Sequence, residues 1–179
     1  MKKSKKVFLR KIKESDINKN YIQKFQEEKV FHFLDTDVKN FTKKIVIDYI
    51  KHGEKTKEYF MYAVCDSENK KHIGNVKIGS INYRDMTSDL VTVIFDKTYW
   101  GKGIATEAII LGNEIAFDQY NIRKLCGGMY DNNIGSIKAY MKAGWIIEGV
   151  LPNHYIHHGK LRHRVCVSCY NPKFKLNNE

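Results

Sequence analysis

The sequence predicts a mixed α/β fold of the α+β type, one sheet with helices packed on it, as a single domain over residues 1–179. Three observations carry this expectation. The β-favouring runs and helical periodicities come in the order strand, two helices, three strands, helix, strand, helix, two strands. That order does not alternate as a doubly wound sheet would. A strand at Val91–Phe95 gives way to a glycine pair, Gly101 and Gly103, and then at once to an alanine-rich helix. No repeat, low-complexity stretch or linker divides the 179 residues, and with 42% hydrophobic residues and 2 prolines the chain can bury a real core.

The elements follow in chain order. Lys6–Ile12 is read as the opening strand. Glu14, Ser15 and Asp16 offer an N-cap for a helix over about Ile17–Glu28, with Tyr21, Phe25 and Val30 on one face. Phe31–Asp37 is aromatic and irregular. A second helix runs from about Thr42 to Gly53. Tyr59–Asp66 is strongly β-like, and Lys71–Tyr83 is a long strand in which Gly74 and Gly79 mark bulges or bends. Leu90–Phe95 is the strand that enters the glycine loop. The helix Ile104–Tyr120 carries a stripe of small residues, Ala105, Ala108, Gly112 and Ala116, which lets it lie close to a sheet. Arg123–Tyr130 is the next strand, Asp131–Asn133 a turn and cap, and Ile134–Ala143 a short helix ended by Gly144. Trp145–Val150 and Leu161–Tyr170 are the last strands. Pro152–Gly159, with His154, His157 and His158, is expected to be a loop between them, and the tail Lys173–Glu179 to fray.

Composition narrows the function. The basic start MKKSKK lacks the apolar run of a signal, and no stretch has the length of a membrane span, so a soluble, cytoplasmic protein is expected. Cys166 and Cys169 form a CxxC, but inside the β-like run VCVSCY and without a second pair. Thiols in a reducing compartment are expected rather than a metal site, and no metal is called. The net charge of +11 favours anionic partners. The lysines are scattered, however, and no basic stripe interleaved with aromatics marks a nucleic-acid platform.

Gly101–Thr106 is an anion cradle. Glycines let backbone approach a ligand closely, and the free N–H groups of a helix start point outward. The stretch Trp100-Gly101-Lys102-Gly103-Ile104-Ala105 resembles the pyrophosphate motif Gln/Arg-x-x-Gly-x-Gly/Ala of the GCN5-related N-acetyltransferases, with Trp100 in the first place. Asp131–Trp145 is similar to a second pattern of that family. Asn133 and Ser136 match its Asn-x-x-Ser part, Tyr140 stands four residues before Gly144, and Trp145 replaces the usual phenylalanine. The resemblance covers Val91–Gly149 most specifically. It points to the branch of ribosomal-protein N-terminal, spermidine and amino-sugar acetyltransferases.

The resemblance implies a mostly antiparallel sheet of about seven strands, splayed between the fourth and fifth, with about four helices. It also implies acetyl-CoA as cosubstrate. The pyrophosphate would lie on the N–H groups of Gly101–Thr106, with Lys102 adding charge. The pantetheine would pair with Val93, Ile94 and Phe95, and Asn133 would reach the arm or cap its helix. An N–H near Ile94–Phe95 would face the oxyanion. Tyr140 would be the acid for the leaving thiolate. Asp89 is the candidate base, with Glu107 more plausibly a favourable charge at the helix start. The histidines of Pro152–Gly159 could gate or bind the acceptor. The favoured acceptor is a nucleotide-linked amino sugar, on the strength of the basic charge. A protein N-terminus or a polyamine, a non-catalytic acetyl-CoA-binding module and, last, a nucleic-acid binder are the alternatives. A homodimer is left open.

Overall fold

A computed structural model describes residues 2–34 and 40–175. Its strands are β1 Lys2–Lys3, β2 Val7–Lys11, β3 Phe60–Asp66, β4 His72–Asn82, β5 Thr87–Ile94, β6 Lys124–Tyr130, β7 Ile146–His157 and β8 Lys160–Tyr170. They form one sheet in the order β1-β2-β3-β4-β5-β6-β8-β7. Only β5 and β6 pair in parallel; the other neighbours are antiparallel. The seven expected strands are present. The eighth is the two-residue β1, paired to Leu9 and Phe8, too short for any periodicity to announce.

The helices are α1 Lys19–Phe25, α2 Glu28–Phe31, α3 Lys43–Thr56, α4 Ile104–Tyr120 and α5 Ile134–Lys142. The single helix expected over Ile17–Glu28 is divided into α1 and α2. Its cap is Asn18, whose side chain accepts from Tyr21 N–H at 3.0 Å. Asp16 serves Arg10 and Lys13 instead, through bonds of 2.7 Å, in a 3₁₀ turn over Glu14–Asp16. The second expected helix is α3, one residue later at its start, with Thr42 as its N-cap. Positions 35–37 of the irregular segment and 176–179 of the tail lie outside the described residues.

Two cores sandwich the sheet. On one face α4 and α5 bury Ala108, Ile109, Ile115, Ala116 and Tyr140 against Leu9, Val64, Val76, Leu90, Leu125 and Val167. The small-residue stripe does what its composition implies: a Cβ on Gly112 would come within 2.9 Å of Leu90 Cδ1 and 3.1 Å of Val76 Cγ1. On the other face α1, α2 and α3 bury Tyr21, Phe25, Val30, Val46 and Ile50 with Phe8, Ala63, Cys65 and Phe95. None of the buried members of this second core comes from β6, β7 or β8. Gly79 stands at a register shift between Ile78 and Ile81, as expected of a bulge. Gly74 is needed for close approach, since a Cβ there would lie 2.5 Å from the Val93 carbonyl oxygen.

Candidate active site

β5 lies between β4 and β6 but does not accompany both for the same distance. Its pairing with β6 covers Thr87–Lys124, Ser88–Leu125 and Asp89–Cys126, then stops. Its pairing with β4 continues to Ile94–Gly74. Leu90–Ile94 therefore turns one backbone edge toward a fork that opens between β5 and β6. The splay expected between the fourth and fifth strands is this fork, shifted by one in number because of β1.

The ladder decides which groups face the fork. Phe95 N–H donates to the Ile73 carbonyl at 3.1 Å. In an antiparallel pair the hydrogen-bonded residues alternate, so Val91, Val93 and Phe95 spend their backbone groups on β4. Leu90, Thr92 and Ile94 point theirs into the fork. The expectation for the oxyanion donor is corrected accordingly. Phe95 N–H is committed to β4 and its ring, 2% exposed, belongs to the second core, whereas Ile94 keeps its place. Thr92 joins it on the fork-facing edge, a placement that follows from the β4 register.

Two fork-facing carbonyls have partners. Trp100 Nε1 donates to Ile94 O at 2.7 Å. Trp100 thus pins the end of β5 to the glycine loop rather than presenting a charged group where the motif has Gln or Arg. Tyr140, from α5, donates to Leu90 O at 2.8 Å. Its phenol is driven above the usual tyrosine range by burial. The phenol therefore sits on the free edge of β5 just beyond the last β6 pair, in the place a neighbouring strand would fill.

At the outer end of the fork the chain leaves β5 through Asp96. Its buried carboxylate holds Lys71 at 2.6 Å and the Thr98 hydroxyl at 2.7 Å. Burial alone would raise its pKa, but these bonds bring it down to about 2. Gly101 and Gly103 follow with φ of 74° and 78°, left-handed backbone that glycine adopts without a Cβ penalty. Gly103 is the N-cap of α4 and supplies no side-chain cap. The first helical bond, Glu107 N–H to Gly103 O, spans 3.1 Å, so Ile104, Ala105 and Thr106 leave outward-facing N–H groups at the positive end of a 17-residue helix. A Cβ at Gly101 would meet nothing within 4 Å. Donors and space together fit a pyrophosphate. Lys102 is exposed, with Nζ 5.9 Å from the Tyr99 ring centroid. Glu107 is tied to Ser4 Oγ and to Lys6 N–H, which makes it an anchor for the first strands.

The β6–α5 turn lies across the fork. Asn133 caps α5, its Oδ1 accepting from Ser136 N–H at 3.3 Å. The capping role is thus observed. Beside it, Asp131 Oδ1 and Asn132 Oδ1 are buried without a hydrogen-bond partner, two acceptor oxygens the sequence reading did not single out.

Asp89 stands at the crotch of the fork, opposite Cys126, with its side chain exposed. Desolvation by its neighbours raises its carboxyl pKa, partly offset by Lys77 and Arg164. Arg164 lies across the neighbouring strand so closely that a Cβ on Gly128 would fall 2.2 Å from its Nε. Gly128 is what lets that guanidinium reach toward Asp89.

The region expected to be a loop is different. β7 runs on to His157, pairing Tyr155 with Arg162, Ile156 with Leu161 and His157 with Lys160. The turn is His158-Gly159 alone, both at positive φ of 48° and 71°, the two-residue hairpin geometry that matches strand twist. Pro152 suggested a break because it cannot donate to a ladder. The structure absorbs it in a register shift between Leu151 and Tyr155. The hairpin reaches back to the end of α2, where His157 Nε2 donates to the His32 carbonyl at 2.8 Å and Phe33 stacks on His157 and meets Tyr130 at a tilt. His154 stays exposed. Cys166 and Cys169 are free thiols. Three apart on one strand, they fall on opposite faces and cannot chelate together.

A profile of the Acetyltransferase (GNAT) domain matches residues 6–146. The chain is 29% identical over 108 residues to a probable N-acetyltransferase, YjcK, of Bacillus subtilis, covering 60% of this chain and 59% of that one. It is 30% identical over 121 residues to the spermidine N(1)-acetyltransferase of Escherichia coli K12, covering 66% and 63%. The chain thus spans about three fifths of the length of these curated relatives. In structure it superposes on a Vibrio cholerae spermidine N-acetyltransferase solved with CoA and spermine, with a TM-score of 0.84 at 17% identity over 96% of this chain and 99% of that one. It also superposes on a Vibrio fischeri ribosomal-protein-S5-alanine acetyltransferase, with a TM-score of 0.82 at 20% identity over 97% and 98%.

Proposed function

The chain belongs to the GNAT acetyltransferase family, and from that premise we propose that it is an acetyl-CoA-dependent N-acetyltransferase acting on a small primary amine. The observation that carries this reading is the fork: a free β5 edge with Tyr140 on it, ending at an uncapped helix N-terminus. Acetyl-CoA, as cosubstrate, brings the thioester. The N–H groups of Ile104, Ala105 and Thr106, presented by Gly101–Gly103, hold its phosphates. The Thr92–Ile94 edge takes the pantetheine as an added strand, and Asp131 and Asn132 offer acceptors to its amides. Asp89 takes the amine proton, a role its raised pKa suits. The fork-facing N–H of Thr92 or Ile94 stabilises the oxyanion. Tyr140 gives its proton to the departing sulfur.

For the acceptor, overall charge is a weaker guide than the fork itself, where a carboxylate, Asp89, stands at the crotch with Arg164 and Lys77 near it. The E. coli relative acts on spermidine by its name, so a polyamine becomes the favoured acceptor, with a protein N-terminus as the rival. Thiol release from acetyl-CoA is measured with spermidine, spermine, a nucleotide-linked amino sugar and short N-terminal peptides. Turnover with the polyamines above the others supports the assignment. CoA binding with no turnover on any amine overturns the enzyme reading. It would favour an acetyl-CoA-binding module in which Tyr140, fully buried on Leu90 O, only closes the sheet.

A further inference from the structure

We propose that His32, His157 and His158 form a binding site for one divalent transition metal of the zinc class, clipping the end of α2 to the tip of the β7–β8 hairpin. One ring nitrogen from each of the three lies within 4.8 Å of the others. The residues come from two segments separated by about 125 positions. His32 is the C-cap of α2, and His157 and His158 are the last strand residue and first turn residue of the hairpin.

The geometry is close to what tetrahedral coordination needs. Metal–nitrogen bonds of about 2.0–2.1 Å at tetrahedral angles set ligand nitrogens roughly 3.3–3.4 Å apart. His158 Nε2 and His32 Nδ1 stand 3.3 Å apart. No pair of the three ligand atoms is more than 4.8 Å apart. His32 stacks on His158 at 4.9 Å and meets His157 edge-on at 4.7 Å.

The hydrogen bonding around the cluster also suits a metal. His157 Nε2 faces a carbonyl and must carry its hydrogen, which leaves Nδ1 as the nitrogen with a lone pair. A backbone carbonyl that holds one ring N–H in this way orients the other nitrogen toward a metal. A set of three imidazole nitrogens suits zinc, copper, nickel or cobalt and not magnesium or calcium. It leaves a fourth position for water. Nothing in the turn calls for histidine either: its left-handed residues are those that asparagine and glycine fill best.

The test uses tag-free protein stripped with a chelator and titrated with Zn²⁺ by calorimetry and with Co²⁺ by visible absorption. One equivalent should bind, with the d–d bands of four-coordinate cobalt. His32→Ala, His157→Ala and His158→Asn, the last chosen to keep the left-handed turn, should each weaken binding at least about tenfold. His154→Ala should change nothing. Thermal melts without metal establish that the variants fold. Absence of one-to-one binding in the unaltered chain, or equal affinity in the three variants, overturns the site. The readout is independent of acetyl transfer, so its failure and that of the enzymatic reading are separable.

Discussion

At the outer end of the fork the groups that face a ligand are backbone N–H groups of consecutive residues, Ile104–Thr106, presented by two left-handed glycines. At the inner end they are side chains drawn from segments far apart: Asp89 on β5, Tyr140 on α5, Arg164 on β8 beside Gly128 on β6, with the His32–His157 contact beyond. Most substitutions leave backbone donors in place, and the loop that aims them is fixed by conformation. Side chains can be changed one at a time, but each depends on packing elsewhere. The outer end is therefore suited to holding a constant ligand, and the inner end to chemistry and to a variable acceptor.

The largest effect expected at the inner end comes from Tyr140→Phe. If the phenol is the acid, steady-state turnover falls by about 10² or more while CoA affinity, read by calorimetry, stays within twofold. The change also leaves the buried Leu90 carbonyl without its donor, at about 1–2 kcal/mol of stability, so a modest drop in Tm accompanies it. A lowered Tm with turnover intact would make Tyr140 a structural plug and erase the division of labour.

The next effect is in stability and tests the strand end that joins the two regions. Asp96 has a folded pKa of about 2, below its ordinary value of 3.8. A depressed carboxylate stabilises the fold above the unfolded pKa, and this is lost as pH falls through the folded one. Between about pH 4 and pH 2 the fold should lose about 2 kcal/mol on this account, measured by urea unfolding. Asp96→Asn should remove most of that pH dependence. An unchanged acid limb in the variant would assign it to other carboxylates.

The two regions also differ in how readable they are from sequence. Glycine loop, α4 and the Asn133–Trp145 segment are encoded by neighbours in the chain: left-handed glycines, a small-residue stripe, a cap. Local chemistry suffices there, and α4 spans Ile104–Tyr120 as expected. The start of α1 was hidden because Asp16, a good cap, is taken by Arg10, leaving Asn18 to cap the helix. The extended hairpin was hidden by Pro152, and His32 by its distance from the residues it meets. Which backbone groups face the fork follows from the β4 register, which no local pattern states.

A third change addresses the loop conformation. Gly103→Ala places a Cβ at φ of 78°, a strain of about 1–2 kcal/mol with only Lys6 Nζ nearby, at 3.4 Å. CoA affinity should fall by up to about tenfold while the amine KM stays constant. A shift in the amine KM of the same size would show that the two ends are coupled.

The smallest expected effect is the most discriminating for the outer end. Lys102 is exposed, its ammonium 5.9 Å from the Tyr99 ring centroid and its carbonyl accepting from Lys6 Nζ at 2.9 Å. If the phosphates are held by backbone donors and the helix dipole, Lys102→Ala should weaken CoA binding by only about twofold to threefold at low salt, and by less as ionic strength screens the side chain. Gly103→Ala should keep its full effect at both salt concentrations, because a left-handed strain does not respond to screening. A loss of tenfold or more from Lys102→Ala, shrinking steeply with salt, would mean that side-chain charge holds the cosubstrate. The outer end would then be as dependent on individual side chains as the inner one.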